Sequence, residues 1–169
     1  MKVFPRDSTL LAAESWNHSF RLTVAGLVSR TLQFSLPDLR LNFGERSFDC
    51  SLGDRFSVGE KSWLGCSLNE LLEFAGVSGQ ARHIEFVGSP SEPDGVRSFS
   101  VPVTDLEHEE IGLVWERDGE SLSAEHGGPL LALLPTLEGY RTLAGVTRIN
   151  LVIIPCSTSR GGTTPALAA

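Results

Sequence analysis

The chain has 169 residues, 41% hydrophobic and 21% charged, with 14 Lys plus Arg against 21 Asp plus Glu and a formal net charge of -7. That length suits one domain with an ordinary apolar core. The acidic balance excludes a general nucleic-acid binder, which needs a basic face to meet phosphates.

No stretch approaches the roughly 18 apolar residues of a membrane helix. Lys2 and Arg6 flank Pro5 ahead of the short apolar run 9–13, which is too short and too weakly flanked for a secretory signal. The expectation is a soluble, cytoplasmic domain, unless an export leader has been trimmed away.

Residues 1–18 read as an irregular lead-in. Phe20 to Val28 alternates and is partly β-branched, so it predicts a strand ending near Gly26 or Val28, with Thr31 to Phe34 as its hairpin partner. Ser35-Leu36-Pro37-Asp38-Leu39 predicts a short helix, with Ser35 as cap and Pro37 in the first turn. Arg46 to Cys50 is a short strand. Residues 51–66, punctuated by Gly53, Gly59 and Gly65, read as loop. Ser67 to Gly76 is the clearest helix. Ser67 and Glu70 have the spacing of a capping box, Leu68, Leu71, Leu72 and Ala75 share one face, and Gly76 is the stop.

His83 to Val87 is a strand, and Ser89 to Gly95 a turn-rich loop. Arg97 to Val103 is a strand, after which Thr104 and Glu107 can cap one short helix. Asp105, Glu107, Glu109 and Glu110 with His108 form an acidic run that reads as a solvated face. Gly112 to Arg117 is a strand closed by the turn Asp118-Gly119. His126-Gly127-Gly128-Pro129 is a turn, followed by the short apolar run Leu130 to Leu134. Val146 to Ile154 is a final buried strand, and the tail 157–169 reads as disordered. Many short strands and few short helices make the fold class α+β and β-rich, in a single domain over 1–156.

Cys50, Cys66 and Cys156 are odd in number and form no C-x-x-C pair, which speaks against a disulfide framework. The four histidines are scattered and supply no zinc-ligand spacing. Taken alone, the residues favour buried, inert thiols, an exposed His126 in a turn, and solvated Arg55 and Arg141. There is no G-x-S-x-G, G-x-G-x-x-G or P-loop.

Four segments in order resemble the sulfite oxidase-like molybdopterin-binding family, from about Phe20 to Ile154. The first pairs Phe20 to Val28 with Leu36-Pro37-Asp38-Leu39. The second is Cys50, Gly53, Ser57-Val58 and Trp63-Leu64-Gly65, then the amphipathic helix ending at Gly76. The third is Asp94-Gly95 with Ser100-Val101-Pro102, and the fourth is Leu113 to Leu122 leading to Glu125-His126-Gly127-Gly128-Pro129-Leu130.

The resemblance implies a sulfite oxidase-like fold of mixed sheets and a molybdenum-molybdopterin cofactor. Cys50 matches the thiolate ligand of the metal, a soft donor suited to such a centre. Gly53 matches a point of close backbone approach, and Arg55 a cation for an anionic substrate or the cofactor's own charge. Ser100, His126, Gly127, Gly128, Gly139 and Arg141 match cofactor-binding positions. The implied activity is two-electron, oxygen-atom transfer on a small oxyanion or sulfoxide-type substrate. An external electron-transfer partner is implied too, since the chain has no haem motif and no room for the dimerisation domain of larger relatives.

The sequence departs from the family at three places. Leu131 stands where the family has arginine, Ala144-Gly145 where it has K-W or K-S, and Val96 where it has tyrosine. Two cations suited to a phosphate are thereby absent, which opens a second reading: a cofactor-less member acting as a binding or interaction protein.

Overall fold

The computed structural model describes residues 19–50, 61–88, 98–107, 110–136 and 139–155. The irregular lead-in, the loop Ser89 to Gly95 with Val96 and Arg97 after it, His108 and Glu109 of the acidic run, and the tail therefore lie outside the described residues. So do Gly53, Arg55 and Cys156.

The described residues form two sheets. Its strands are β1 (Leu22–Gly26), β2 (Leu32–Phe34), β3 (Arg46–Cys50), β4 (Lys61–Ser67), β5 (His83–Gly88), β6 (Ser98–Pro102), β7 (Gly112–Arg117), β8 (Glu120–Ser121), β9 (Leu131–Thr136), β10 (Gly139–Leu143) and β11 (Val146–Val152). The five-stranded sheet has the order β2-β1-β11-β5-β6, and the six-stranded sheet β10-β9-β7-β4-β3 with β8 paired to β7. β1 and β11 pair in parallel, and the other pairings are antiparallel. Among the described residues the helices α1 (Leu36–Asn42) and α2 (Leu68–Ala75) accompany them. The predicted α+β, β-rich class is the observed one.

Alternation within strands sorts side chains between two apolar clusters. The main core draws Val24, Phe86 and Ile149 from one sheet and Leu113, Trp115 and Leu134 from the other. Leu39 of α1 and Leu68, Leu71, Leu72 and Ala75 of α2 join it, so the predicted apolar face of α2 is the buried one. The intervening strand residues point the opposite way. Phe48, Trp63, Val114, Leu122, Leu131 and Leu133 form a second cluster on the far face of the six-stranded sheet.

Three expectations need correction. The end of the segment read as loop over 51–66 is strand β4. Gly65 misled because it resembles loop punctuation; it is glycine because a Cβ there would stand 2.0 Å from the Leu113 carbonyl oxygen. The strand is bulged between Leu64 and Gly65, and this close approach is where glycine belongs in a sheet. Ser67 is the N-cap of α2, but its side chain makes no cap hydrogen bond. Glu70 pairs instead with Arg46 at 2.8 Å, so the capping box is not formed. Finally, Ile153 and Ile154 lie beyond β11 and are 53% and 79% exposed rather than buried.

The capping box is real at α1. Asp38 N–H donates to Ser35 Oγ, and the Asp38 carboxylate accepts from Ser35 N–H at 2.8 Å. The Ser35 hydroxyl and backbone amide hold the Asp38 carboxyl below the usual range. The turn Asp118-Gly119 has positive φ at both residues, 51° and 83°, the mirror-image turn that suits a two-residue hairpin. The short helix after β6 is a single 3₁₀ turn, Val103–Glu107.

Candidate cofactor site

Register places the sequence-predicted residues. Cys50 is the last residue of β3, at the sheet edge, and pairs with Lys61 at the start of β4. Two residues further into β4, Trp63 pairs with Arg117 at the end of β7. The loop that leaves β7 therefore begins at the Cys50 end of the sheet. Asp118 N–H donates to the Ser62 carbonyl at 2.7 Å, tying that loop to β4. The same loop leads through β8 to the 3₁₀ turn Ala124–His126 and returns along β9, whose first residue Leu131 pairs with Val114. Cys50 and the segment His126-Gly127-Gly128-Pro129 thus belong to one end of the six-stranded sheet.

His126 is exposed, and its Nδ1 lies 2.7 Å from Ser123 Oγ. Where the serine hydroxyl donates to Nδ1, the proton of the neutral ring sits on Nε2. Gly127 is left-handed at φ 91° and caps this turn, its N–H donating to Ala124 O. Gly128 N–H donates to Ser123 O at 2.8 Å.

The glycines are required by the chain's own packing. A Cβ on Gly128 would stand 2.0 Å from the Leu122 carbonyl oxygen. One on Gly127 would meet Leu131 Cδ1 at 2.9 Å and Ala144 Cβ at 3.0 Å. Gly145 N–H donates to Gly127 O at 2.8 Å, and Val146 N–H to Leu130 O at 2.9 Å, lacing this loop to the turn between β10 and β11. The two positions where the sequence lacks a family cation, Leu131 and Ala144, are therefore brought together beside Gly127. Leu131 is 4% exposed within the second apolar cluster, whereas Ala144 is exposed.

Other expected positions lie elsewhere. Gly139 pairs with Thr136 at the far end of the β9–β10 hairpin, and Arg141 pairs with Leu134 between the two ends. Sequence reading did not mark β10 as a strand. Ser100 sits on β6, at the edge of the other sheet, opposite Glu85. Its hydroxyl is buried without a hydrogen-bond partner among the described residues. The side chains of Glu85 and Asn150 lie in the same row, linked by Asn150 Nδ2 donating to Glu85 Oε2 at 3.3 Å.

Cys66 matches the inert-thiol reading. It is fully buried in the main core. Burial, and then the nearby Glu70 charge, push its thiol up to about 12. Among the described residues no group of three or more His, Cys, Asp or Glu side chains is placed to hold a metal ion. None of the helices there is long and apolar enough to cross a membrane.

Comparison with known proteins agrees with this architecture. Sulfite oxidase of Arabidopsis thaliana is 29% identical over 111 residues, 59% of this chain and 28% of that protein. The protein-methionine-sulfoxide reductase catalytic subunit MsrP of Ralstonia nicotianae is 25% identical, over 80% of this chain and 44% of its own. The crystal structure of the sulfane dehydrogenase SoxCD from Paracoccus pantotrophus superposes with a TM-score of 0.65 at 25% identity, covering 82% of this chain and 39% of that one. The chain spans less than half the length of each of these relatives. The family model described as "Oxidoreductase molybdopterin binding domain" matches residues 10–158, and the chain belongs to that family.

Proposed function

We propose that the chain is the cofactor-bearing domain of a molybdenum-molybdopterin oxidoreductase, with Cys50 as the protein ligand to the metal. The observation that carries this reading is the placement of Cys50 at the same sheet end as the His126-Gly127-Gly128-Pro129 loop. The residue types fit the group: a cysteine for a soft metal and, in the loop at the same sheet end, an exposed imidazole whose Nδ1 is already engaged. When bound, the cofactor supplies two-electron, oxygen-atom transfer.

The chain's own residues bind and orient. Cys50 holds the metal as thiolate. Arg55 draws in an anionic substrate, and His126 offers Nε2–H to the cofactor, its ring held by Ser123. Gly53 completes the contacts in this reading, whereas Gly139, at the far end of the β9–β10 hairpin, Arg141, midway along it, and Ser100, in the other sheet, stand apart from this sheet end. The substrate is a small oxyanion or a sulfoxide, and an external redox partner exchanges the electrons. The oxidoreductase names of the relatives support this class.

One observation favours a second reading, a family member without cofactor that acts by binding. The Leu131 side chain is packed into an apolar cluster where the family carries a cation. Metal analysis of protein made in a host that synthesises the cofactor separates the two. Near-stoichiometric molybdenum, lost in Cys50→Ala, is the expected result; folded, molybdenum-free protein from such a host supports the binding reading.

A further inference from the structure

The bulge between β4 and β7 decides which way Arg117 faces. Leu64 pairs with Glu116 and Gly65 with Val114, so Trp115 is the extra residue of β7. Trp115 and Glu116 both meet Arg40 of α1, whose Cζ stands 5.5 Å from the Trp115 ring centre and whose Nη2 stands 2.8 Å from the Glu116 carboxylate. Arg117 follows on the opposite face, its Cζ 5.7 Å from the ring centre of Trp63 in the second apolar cluster. Unbroken alternation would have put Arg117 on the face of Trp115. Re-aiming a side chain is what a bulge does.

The two arginines differ in their charge partners. Glu116 neutralises Arg40, whereas among the described residues no carboxylate pairs with Arg117. Glu120 stands directly across in the β7–β8 register, but it is exposed and forms no ion pair with Arg117. The Asp118 carboxylate accepts from Ser62 N–H at 3.1 Å. Trp63 is only 2% exposed, and its indole N–H is buried without an acceptor. A half-buried cation and an orphaned buried donor therefore sit together, and an unmet buried donor is costly. An oxyanion answers both, because a guanidinium stacked on a ring keeps its N–H fork for a bidentate partner.

Arg117 ends β7 at the Cys50 end of the six-stranded sheet, where the loop to His126 departs. Leu122, next to the serine that holds His126, shares a cluster with Trp63. Leu131, where the family carries arginine, belongs to the same cluster. It pairs with Val114, three residues from Arg117 and roughly 10 Å along the strand. β7 thus supplies a cation on the face where β9 presents leucine.

We propose that Arg117 is the anion-binding residue of this sheet end and takes a phosphate group, in place of the cations absent at Leu131 and Ala144. That the phosphate is the cofactor's own rests on the function proposed above.

The full chain, purified free of cofactor, is titrated with inorganic phosphate. The indole N–H resonance of Trp63, identified by its loss in Trp63→Phe, reports binding by NMR. A saturable shift is expected, with affinity about tenfold weaker in Arg117→Ala, less affected in Arg117→Lys, and unchanged in Arg82→Ala, a cation beside the other sheet. The second readout is the pterin content of each protein from a cofactor-producing host, which should fall about tenfold in Arg117→Ala. No shift with phosphate, or equal affinity in Arg117→Ala and the unaltered chain, overturns the proposal whatever the metal content. Equal pterin in both proteins overturns it too, while the cofactor reading stands. Phosphate binding that depends on Arg117 in a chain that never acquires pterin supports the anion site and sinks the cofactor reading.

Discussion

Cys66 shows how burial decides what a thiol does. Its surroundings are apolar, and its proton is held well past the usual thiol range. The folded chain keeps that proton, whereas the unfolded chain releases it near pH 8.5. Stability from this group is therefore complete below about pH 8.5 and is lost as pH rises toward about 12. Two outcomes follow. Alkylating reagents should modify Cys66 only on unfolding, as read by peptide mapping. Denaturant melts should show an alkaline loss of stability that Cys66→Ala removes.

Leu131 and Ala144 make the matching case for charge. They touch the same glycine, yet one is buried in an apolar cluster and the other faces solvent. Leu131→Arg should lower stability by about 3 kcal/mol or more, because a lone charge in such a cluster is strongly penalised. Ala144→Lys should leave the melt almost unchanged. Comparison of the two unfolding curves checks both. That these positions meet in space could not be read from the sequence, which shows only two separate departures. Their meeting depends on the backbone bonds from Gly145 to Gly127 and from Val146 to Leu130.

At the scale of elements, local chemistry was legible wherever one strong rule governed. Ser35, Pro37 and Asp38 announce α1, and the structure forms that capping box. Ser35→Ala should cost about 1 kcal/mol, measured as a shift of the unfolding midpoint. The same reasoning failed at α2, because Arg46, brought in from β3, competes for Glu70. Local spacing cannot report a partner supplied by another strand. β4 was hidden for a related reason. Its Gly65 answers a neighbouring carbonyl, a contact that exists only after β7 has paired. Gly65→Ala should therefore disrupt this sheet, lowering stability by about 2 kcal/mol or more, with hydrogen exchange rising first in β4 and β7. β10 was missed as well: its Gly139-Tyr140-Arg141 lacks an apolar alternation, and its pairing with β9 makes it a strand.

At the scale of the molecule, two sheets share one core, while a second apolar cluster covers the other face of the six-stranded sheet. The order of motifs along the chain was enough to indicate this family, and the match over residues 10–158 agrees with it. The site was only partly legible. The β3–β4–β7–β9 register puts Cys50 and the His126 loop at the same end of one sheet, whereas Ser100 lies in the other sheet. The most direct test of the central claim is the molybdenum content of the chain purified from a cofactor-producing host, with and without the thiol at position 50. The account predicts near-stoichiometric metal in the unaltered chain and almost none in a folded Cys50→Ser variant. Equal molybdenum in both proteins, or none in either while both remain folded, would contradict it.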